Sequence, residues 1–468
     1  MTKVVKSIKK VLKLVNIKDG MTISFHHHLR NGDYVMNLVL EEIAEIGVKN
    51  LTLAATGIYP IHQPLIKKME NKIITKIDTD FVSGPVGEAI VNGKLEQPAI
   101  FRSRGGRARA IETKELKIDI AFIAAPSADS AGNINGVDGP SACGPLGYAI
   151  PDAHYADKVI AITDNLVDYP LFPVRIEENL VDYVVVVDRI GDAQKIMSGT
   201  TIITRDPIGL RIAKYALQVI EQSGLFKTGF SFQTGAGGIS LAVADYLHKK
   251  MKEKNIIGSF ALGGITKFLV DMLNEGLLKT LLNVQSFDLD AVKSVKENPQ
   301  HQAISVSRYA NPKAKSCAVD NLDISILGAS EIDTNFNVNV VTDSNGIIIG
   351  GSGGHNDSAD GSKLTIIVTP LIRGRFPVVV DKLTTVTTPG RCIDVVVTER
   401  GIAVNPNNKE IEQRLMNSNL PIVPISKLKE MAYQLTGKPE PIKFYDRIVA
   451  KVEERNGEII DYIRMLKY

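Results

Sequence analysis

Cysteine is scarce in this chain, with three among 468 residues: Cys143, Cys317 and Cys392, far apart and without a CxxC pair. That excludes a disulfide frame and a cysteine-built zinc site, and it fits a reducing, cytoplasmic compartment. Charge of one sign is equally short. Against 52 acidic side chains stand 55 basic ones, a formal net charge of +3 with no long basic run, so nucleic acid is not an expected partner. No apolar stretch is long enough to span a bilayer, and no low-complexity linker interrupts the text. The opening residues MTKVVKSIKKVLKLVN carry lysines throughout, which predicts no signal peptide. Val4, Ile8, Val11, Leu12 and Val15 fall at helical spacing and predict an amphipathic helix packed on the body rather than a membrane anchor. A Walker phosphate loop is missing too, because no glycine-rich stretch leads into Lys-Ser or Lys-Thr.

What the chain does have is the composition of a globular protein, 44% hydrophobic and 23% charged, at a length that predicts two domains. Short β-branched runs alternate with helical patterns, the mark of an α/β fold. Strands are expected over 21–25, 51–55, 118–125, 158–163 and 183–188, with a helix over 34–47. A second pass begins near Arg205. Strands are expected over 225–232, 256–261, 304–310, 323–327, 337–342, 365–369, 378–381 and 394–398, with helices over 239–252 and 266–278. Residues 409–468 read as two peripheral helices and an edge strand. The segment Gly20–Phe25 can be laid on Gly229–Phe232, and Leu51–Ile58 on Gly258–Ile265, at a nearly constant offset of about two hundred residues. This predicts a duplicated α/β unit, residues 1–200 and 201–468, with strand-end loops of the two copies facing each other where such sheets bind ligands.

Three glycine-rich strand ends stand out: Gly235/Gly237/Gly238, Gly263/Gly264 and Gly350/Gly351/Gly353/Gly354. The last follows the branched run Ile347–Ile349, which reads as a buried strand, and leads straight into His355, Asn356 and Asp357. Without Cβ atoms the main-chain N–H groups of such loops are approachable. Their plain chemical use is to hold an oxyanion developing from a carbonyl, which points to acyl transfer by Gly235, Gly237, Gly238, Gly353 and Gly354. Gln233, Gly263, Gly264, His355 and Asn356 then line the substrate side.

His26, His27 and His28 precede Arg30. Successive residues at a strand end point alternately, so three in a row do not ligate one metal well. One or two of them with Arg30 suit a polycarboxylate, which a guanidinium grips by a bidentate fork. His62 reads as structural and Cys143 as a packing cysteine. Arg102, Arg104, Arg107 and Arg109 crowd around two glycines; a solvated charge run and a binder of phosphate or of an acidic carrier protein both remain open.

Longer strings carry a family resemblance: GMTISFHHHLRNGD (20–33), FRSRGGRARA (101–110), GNINGVDGPSACGPLGYAIP (132–151), FSFQTGAGGISL (230–241), GSFALGGIT (258–266), EIDTNFNVNV (331–340) and the loop 350–357. Over nearly its whole length the chain resembles the citrate lyase alpha subunit family, within the acetyl-CoA hydrolase/transferase superfamily. The resemblance implies two similar CoA-transferase-like domains, like those of ribose-phosphate isomerase. It implies exchange of acetate for citrate on a thioester of the coenzyme A type, the phosphoribosyl-dephospho-CoA arm of an acyl carrier subunit, with no metal in the transfer. A citryl lyase subunit and a homo-oligomeric complex are the further partners implied. Superfamily members carry a GGQxD loop, which Gly353–Asp357 matches except that His355 replaces the glutamine. Relatives with a covalent glutamyl thioester place that glutamate after the second strand of the second domain. Here the segment 258–264 holds no carboxylate, which implies direct attack by a citrate carboxylate in a ternary complex. A transferase for another dicarboxylate such as citramalate, and a non-catalytic ligand-binding scaffold, are the alternatives.

Overall fold

The computed structural model describes residues 2–197 and 202–467. Two large, mostly parallel sheets form its frame. The first runs in the order Val4–Val5, Tyr183–Val186, Lys158–Thr163, Ile120–Ala124, Thr22–Phe25, Leu51–Ala55, Ile74–Thr79, Ala99–Phe101, Phe444–Glu453, Ile459–Leu466. The second runs His301–Ala303, Leu278–Ser286, Gly258–Ile265, Ser231–Thr234, Ile324–Leu327, Leu364–Val368, Val395–Thr398, Gly401–Val404. Strands such as Leu364–Val368 are buried along their whole length, as parallel strands sandwiched between helices must be. No helix among the described residues is long and apolar enough to cross a membrane.

Local sequence explains the helices. Helix Val35–Ile46 buries Val35, Met36, Val39, Leu40 and Ile43 along one stripe and stops at Gly47, whose φ of +85° a side chain would oppose. Helix Pro207–Gln222 starts on Asp206, whose carboxylate accepts the N–H of Gly209, with proline at the first helical position.

Seven strands of each sheet, from 22–25 through 183–186 and from 231–234 through 395–398, follow one another in the same spatial order. A smaller device recurs with them. Asp129 accepts main-chain N–H groups of 131–133 while Asn133 Nδ2 donates to its Oδ2 at 2.8 Å; Asp333 accepts those of 335 and 337 while Asn337 Nδ2 donates to its Oδ2 at 2.9 Å. The spacing D-x-x-x-N-x-N at 129–135 and 333–339 makes this recurrence visible in the sequence. The expected boundary between 200 and 201 lies outside the described residues.

Several expectations need correction. Residues 225–230 are a turn, so the strand starts at Ser231 and carries Gln233 inside it. The helix ends at Asn274, and Leu278–Ser286 is a strand; its leucines favour neither state, and pairing on both edges decides. Residues 304–310 give helix Val306–Ala310, which opens on a Ser305 cap. The run Ile347–Ile349 is no buried strand: Ile348 makes one bridge to Thr342, and Ile349 is 43% exposed. Gly263 and Gly264 lie within strand Gly258–Ile265, at a bulge, rather than beyond its end. The tail supplies helices Lys409–Met416 and Ile425–Thr436, but its strand is a hairpin that extends the first sheet by pairing with Ala99–Phe101.

The arginine stretch is neither a solvated run nor an open phosphate arm. Helix Arg104–Glu112 is largely buried. Arg107 forks onto Asp152 at 2.8 and 2.9 Å with both side chains out of water, Arg102 pairs with Asp78 at 2.9 Å and with Glu453 of the hairpin, and Arg109 pairs with Glu115 at 2.6 Å. Truncation of one partner of such a pair strands the other charge in the core. Arg107→Ala is expected to lose about 3–5 kcal/mol of unfolding free energy; urea denaturation measures it, and a loss under about 1 kcal/mol would show that the pair does not hold the fold.

Candidate active site

The carboxyl ends of the parallel strands of both sheets meet, and bare main chain makes the junction. Arg104 N–H donates to Gly353 O at 2.9 Å, Gly353 N–H to Asp80 O at 3.1 Å, and Val82 N–H to Gly350 O at 3.1 Å. A Cβ at Gly351 would stand 2.1 Å from Asp80 O, and one at Gly354 would stand 2.4 Å from the Tyr309 hydroxyl. These glycines are therefore required by close approach. Asp357 locks the crossing from beneath: its carboxyl accepts Ser103 O–H at 2.6 Å and Gly105 N–H at 3.0 Å. Burial pushes Asp357 up to about 6.

The histidine triplet follows strand Thr22–Phe25 and is buried. Arg104 Nη1 donates to His27 Nε2 at 3.0 Å, so His27 Nδ1 carries the proton and donates to Thr56 Oγ1 at 2.6 Å. His28 Nε2 accepts the N–H of Tyr148 at 3.3 Å. Burial, then the Arg104 charge, holds His27 well below its ordinary value; burial and neighbouring His26 and Arg104 do the same for His28. His26 is buried as well: neither nitrogen of its ring has a hydrogen-bond partner, and burial lowers it to about 4. The triplet is thus a neutral wall. Tyr148 stacks on His27 and His28 at 5.0 and 5.4 Å and carries the Arg104 guanidinium 4.3 Å from its ring centre.

Opposite this wall lie groups from the second half. Gln233 and Tyr309 exchange hydrogen bonds at 3.1 and 3.3 Å, and Gln285 Nε2 donates to His27 O at 3.1 Å. Arg30, with φ +52°, is buried with its guanidinium 4.6 Å from the Phe287 ring centre and Nη1 donating to Ile196 O at 3.2 Å. Neither Arg30 nor Arg104 forms an ion pair with a carboxylate among the described residues. The site therefore offers two cations without acidic partners beside the neutral histidine wall, which suits an anionic ligand.

Not every expected residue serves as the sequence suggests. Gly235 N–H donates to Ile326 O at 2.8 Å and Gly353 N–H to Asp80 O, so these two are not open to an oxyanion. Gly237 and Gly238 begin helix Gly238–Lys254 and Gly354 caps helix His355–Gly361, where main-chain N–H groups lack helical acceptors. His355 is turned away from a ligand role: Nε2 donates to Gly328 O at 2.9 Å and Nδ1 accepts from Thr388 Oγ1 at 2.8 Å. Asn356 Oδ1 accepts Arg455 N–H at 2.9 Å and so ties the loop to the C-terminal hairpin. A Cβ at Gly263, whose φ is +101°, would meet the Gln233 amide at 3.1 Å, and one at Gly264 would run into the Phe287 ring at 2.2 Å. Their bulge leaves no room for an acidic side chain. His62 is structural, its Nε2 lying 3.2 Å from Asp33 Oδ2, and Cys143 is buried, its thiol pushed up by desolvation.

Tyr148, Tyr309, Gln285 and Asp80 went unrecognised in the sequence, and Arg104 stood out only as one of four arginines. A serine at 103 followed by glycines at 105 and 106 signals a helix start, which would have set Arg104 at the helix mouth, apart from its three paired neighbours. Among the described residues Asp360, Cys392 and Glu454 could converge on a metal, yet Arg455 pairs with Asp360 at 3.1 Å and Arg391 with Glu454, which accounts for the cluster. A groove of about 1120 Å³ between residues 380–386 and the hairpin is lined by none of these site groups.

The sequence matches the family citrate lyase, alpha subunit, over residues 1–466. It is 47% identical over 465 residues to the citrate lyase alpha chain of Klebsiella pneumoniae, covering 99% of this chain and 92% of that one. With the citrate lyase alpha chain of Escherichia coli K12 it shares 47% over 461 residues, 98% of this chain and 90% of the relative. The crystal structure of a citrate lyase alpha subunit from Streptococcus mutans in complex with citrate superimposes with a TM-score of 0.98 at 48% identity, covering 100% and 92% of the two chains. A Pseudomonas malonate decarboxylase hetero-tetramer shares the fold at 17% identity, TM-score 0.69, over 93% of this chain and 86% of that one.

The dry histidine wall carries a pH signature. His26 titrates near 6.5 when unfolded and at about 4 when folded, so the unfolded chain binds the extra proton between these values. Its contribution is fully present above pH 6.5 and is lost as pH falls toward 4. Urea midpoints are expected to drop across this window, and less steeply in His26→Gln; equal slopes would show that His26 is not held neutral.

Proposed function

This chain belongs to the citrate lyase alpha subunit family and has that family's acyl-transferase role, and we propose the following course for the reaction at this site. Acetate is exchanged for citrate on a thioester, acetyl-S-carrier plus citrate giving citryl-S-carrier plus acetate. The thioester is of the coenzyme A type, the phosphoribosyl-dephospho-CoA arm of an acyl carrier subunit, and it enters between two similar CoA-transferase-like units, residues 1–200 and 201–468 with the hairpin returning to the first. The observation that carries this reading is the pair of buried guanidiniums, Arg104 and Arg30, which lack acidic partners among the described residues and lie beside a neutral histidine wall.

Charge and geometry suggest the roles. Arg30 and Arg104 hold citrate carboxylates, with His27 fixing Arg104. One carboxylate attacks the thioester carbonyl, and the N–H groups of Gly237, Gly238 and Gly354 stabilise the oxyanion; losing one such donor costs on the order of 3 kcal/mol. The C–S bond breaks to give a mixed anhydride and thiolate. The thiolate then attacks the citryl carbonyl of that anhydride, forming citryl thioester and releasing acetate. A ternary complex is favoured over an acyl-enzyme because strand Gly258–Ile265 carries no carboxylate and Phe287 and Gln233 fill the space at its bulge. A homo-oligomeric complex with carrier and citryl lyase subunits, in the cytoplasm, completes the proposal, and the transfer uses no metal. The 47% identity over the full chain favours this role over a citramalate transferase or an inert scaffold.

Incubation with acetyl thioester followed by borohydride or hydroxylamine is expected to leave every Asp and Glu unmodified while acetate release requires citrate. A modified carboxylate overturns the ternary complex, and indifference to citrate overturns the substrate. Gly354→Ala, which forces a methyl group onto the Tyr309 hydroxyl, is expected to lower kcat/KM by about 10²-fold with folding intact; unchanged kinetics would remove the loop from the site.

A further inference from the structure

We propose that Asp80 is a substrate-contacting residue: as a neutral carboxylic acid it donates its O–H to a carboxylate of the tricarboxylic substrate held beside Arg104. The proposal rests on the transferase reading above and assigns one more group of that site.

Asp80 stands at the carboxyl end of strand Ile74–Thr79 and is 1% exposed. Its main chain is engaged, since its carbonyl receives the Gly353 N–H. Its side chain is not: Oδ1 is buried without a hydrogen-bond partner. Buried carboxyls close by in this protein behave otherwise. Asp78 holds Arg102, Asp152 holds Arg107, and Asp357 holds Ser103 and Gly105. Asp80 is left over, and so is Arg104, whose guanidinium is close enough to act on the Asp80 charge without pairing with it. An ionised carboxylate buried with no donor is costly, and a neighbouring guanidinium would close on it. A neutral acid next to an unclaimed cation instead frames a space for an anion, which accepts from both.

The surroundings support the neutral form. Desolvation raises Asp80 to about 8, with Arg104 and Arg107 opposing and Asp78 and Asp357 reinforcing. Tyr148 and Tyr309, which also neighbour Arg104, stay neutral because burial raises both phenols. An ionised Asp80 would add a third negative charge to this corner and repel the substrate.

The wild-type protein itself gives the test. Citrate KM is expected to rise about tenfold between pH 7 and pH 9, with the thioester KM and the saturating rate held. Asp80→Asn keeps a donor but cannot ionise; it is expected to raise citrate KM up to about tenfold at pH 7 and to show no further rise by pH 9. A flat wild-type profile, or an alkaline rise that persists in Asp80→Asn, overturns the proposal. If Asp80→Asn does not fold, calorimetry of citrate binding to the wild type in buffers of different ionisation enthalpy decides. Uptake approaching one proton at pH 9 and none at pH 7 supports Asp80, and no uptake at either pH overturns it. Failure to turn over citrate at pH 7 would instead overturn the transferase reading.

Discussion

The crossing of Gly350–Gly354 over the loop ends at Asp80 and Ser103 is the contact from which the site takes its shape. Main chain meets main chain there, with Arg104 N–H on Gly353 O and Gly353 N–H on Asp80 O, and a Cβ at Gly351 would sit 2.1 Å from a carbonyl. Asp357 fastens the same crossing through Ser103 and Gly105. The strand-end loops of one sheet are thereby fixed against the other to within a bond length, as preorganised catalysis requires.

Ion pairing then decides which charges remain for chemistry. Arg102 and helix Arg104–Glu112 together bring four arginines into a mostly dry region, and three are neutralised by Asp78, Glu453, Asp152 and Glu115. Arg104 alone of these leans on Tyr148 and His27 instead. Removing water makes each remaining charge count for more. The same dryness keeps the histidine triplet neutral, so it shapes and orients rather than carries charge.

Two sheets of the same strand order, each with its Asp-Asn turn, present equivalent strand ends that carry different groups. The first contributes His26–His28, Asp80 and Arg104; the second contributes Gln233, Gln285, Tyr309 and the glycine loop. The C-terminal hairpin returns to the first sheet, and Arg102–Glu453 and Asn356–Arg455 bind it to both halves.

Periodicity and glycine chemistry are local properties, and what depends on them was written in the sequence: the α/β class, most strands, and the glycine loops as places of close approach. The family was legible as well, because strings such as 20–33 and 350–357 are long enough to be specific. Partner choice is not local. The sequence displays Arg102, Arg104, Arg107 and Arg109 as equals, and only the packing of Asp78, Asp152 and Glu453 against them singles out Arg104. The tertiary structure likewise decided that Gly235 and Gly353 spend their N–H groups on carbonyls, that His355 faces Thr388, and that Leu278–Ser286 is a strand, since each outcome depends on a neighbour distant in the chain.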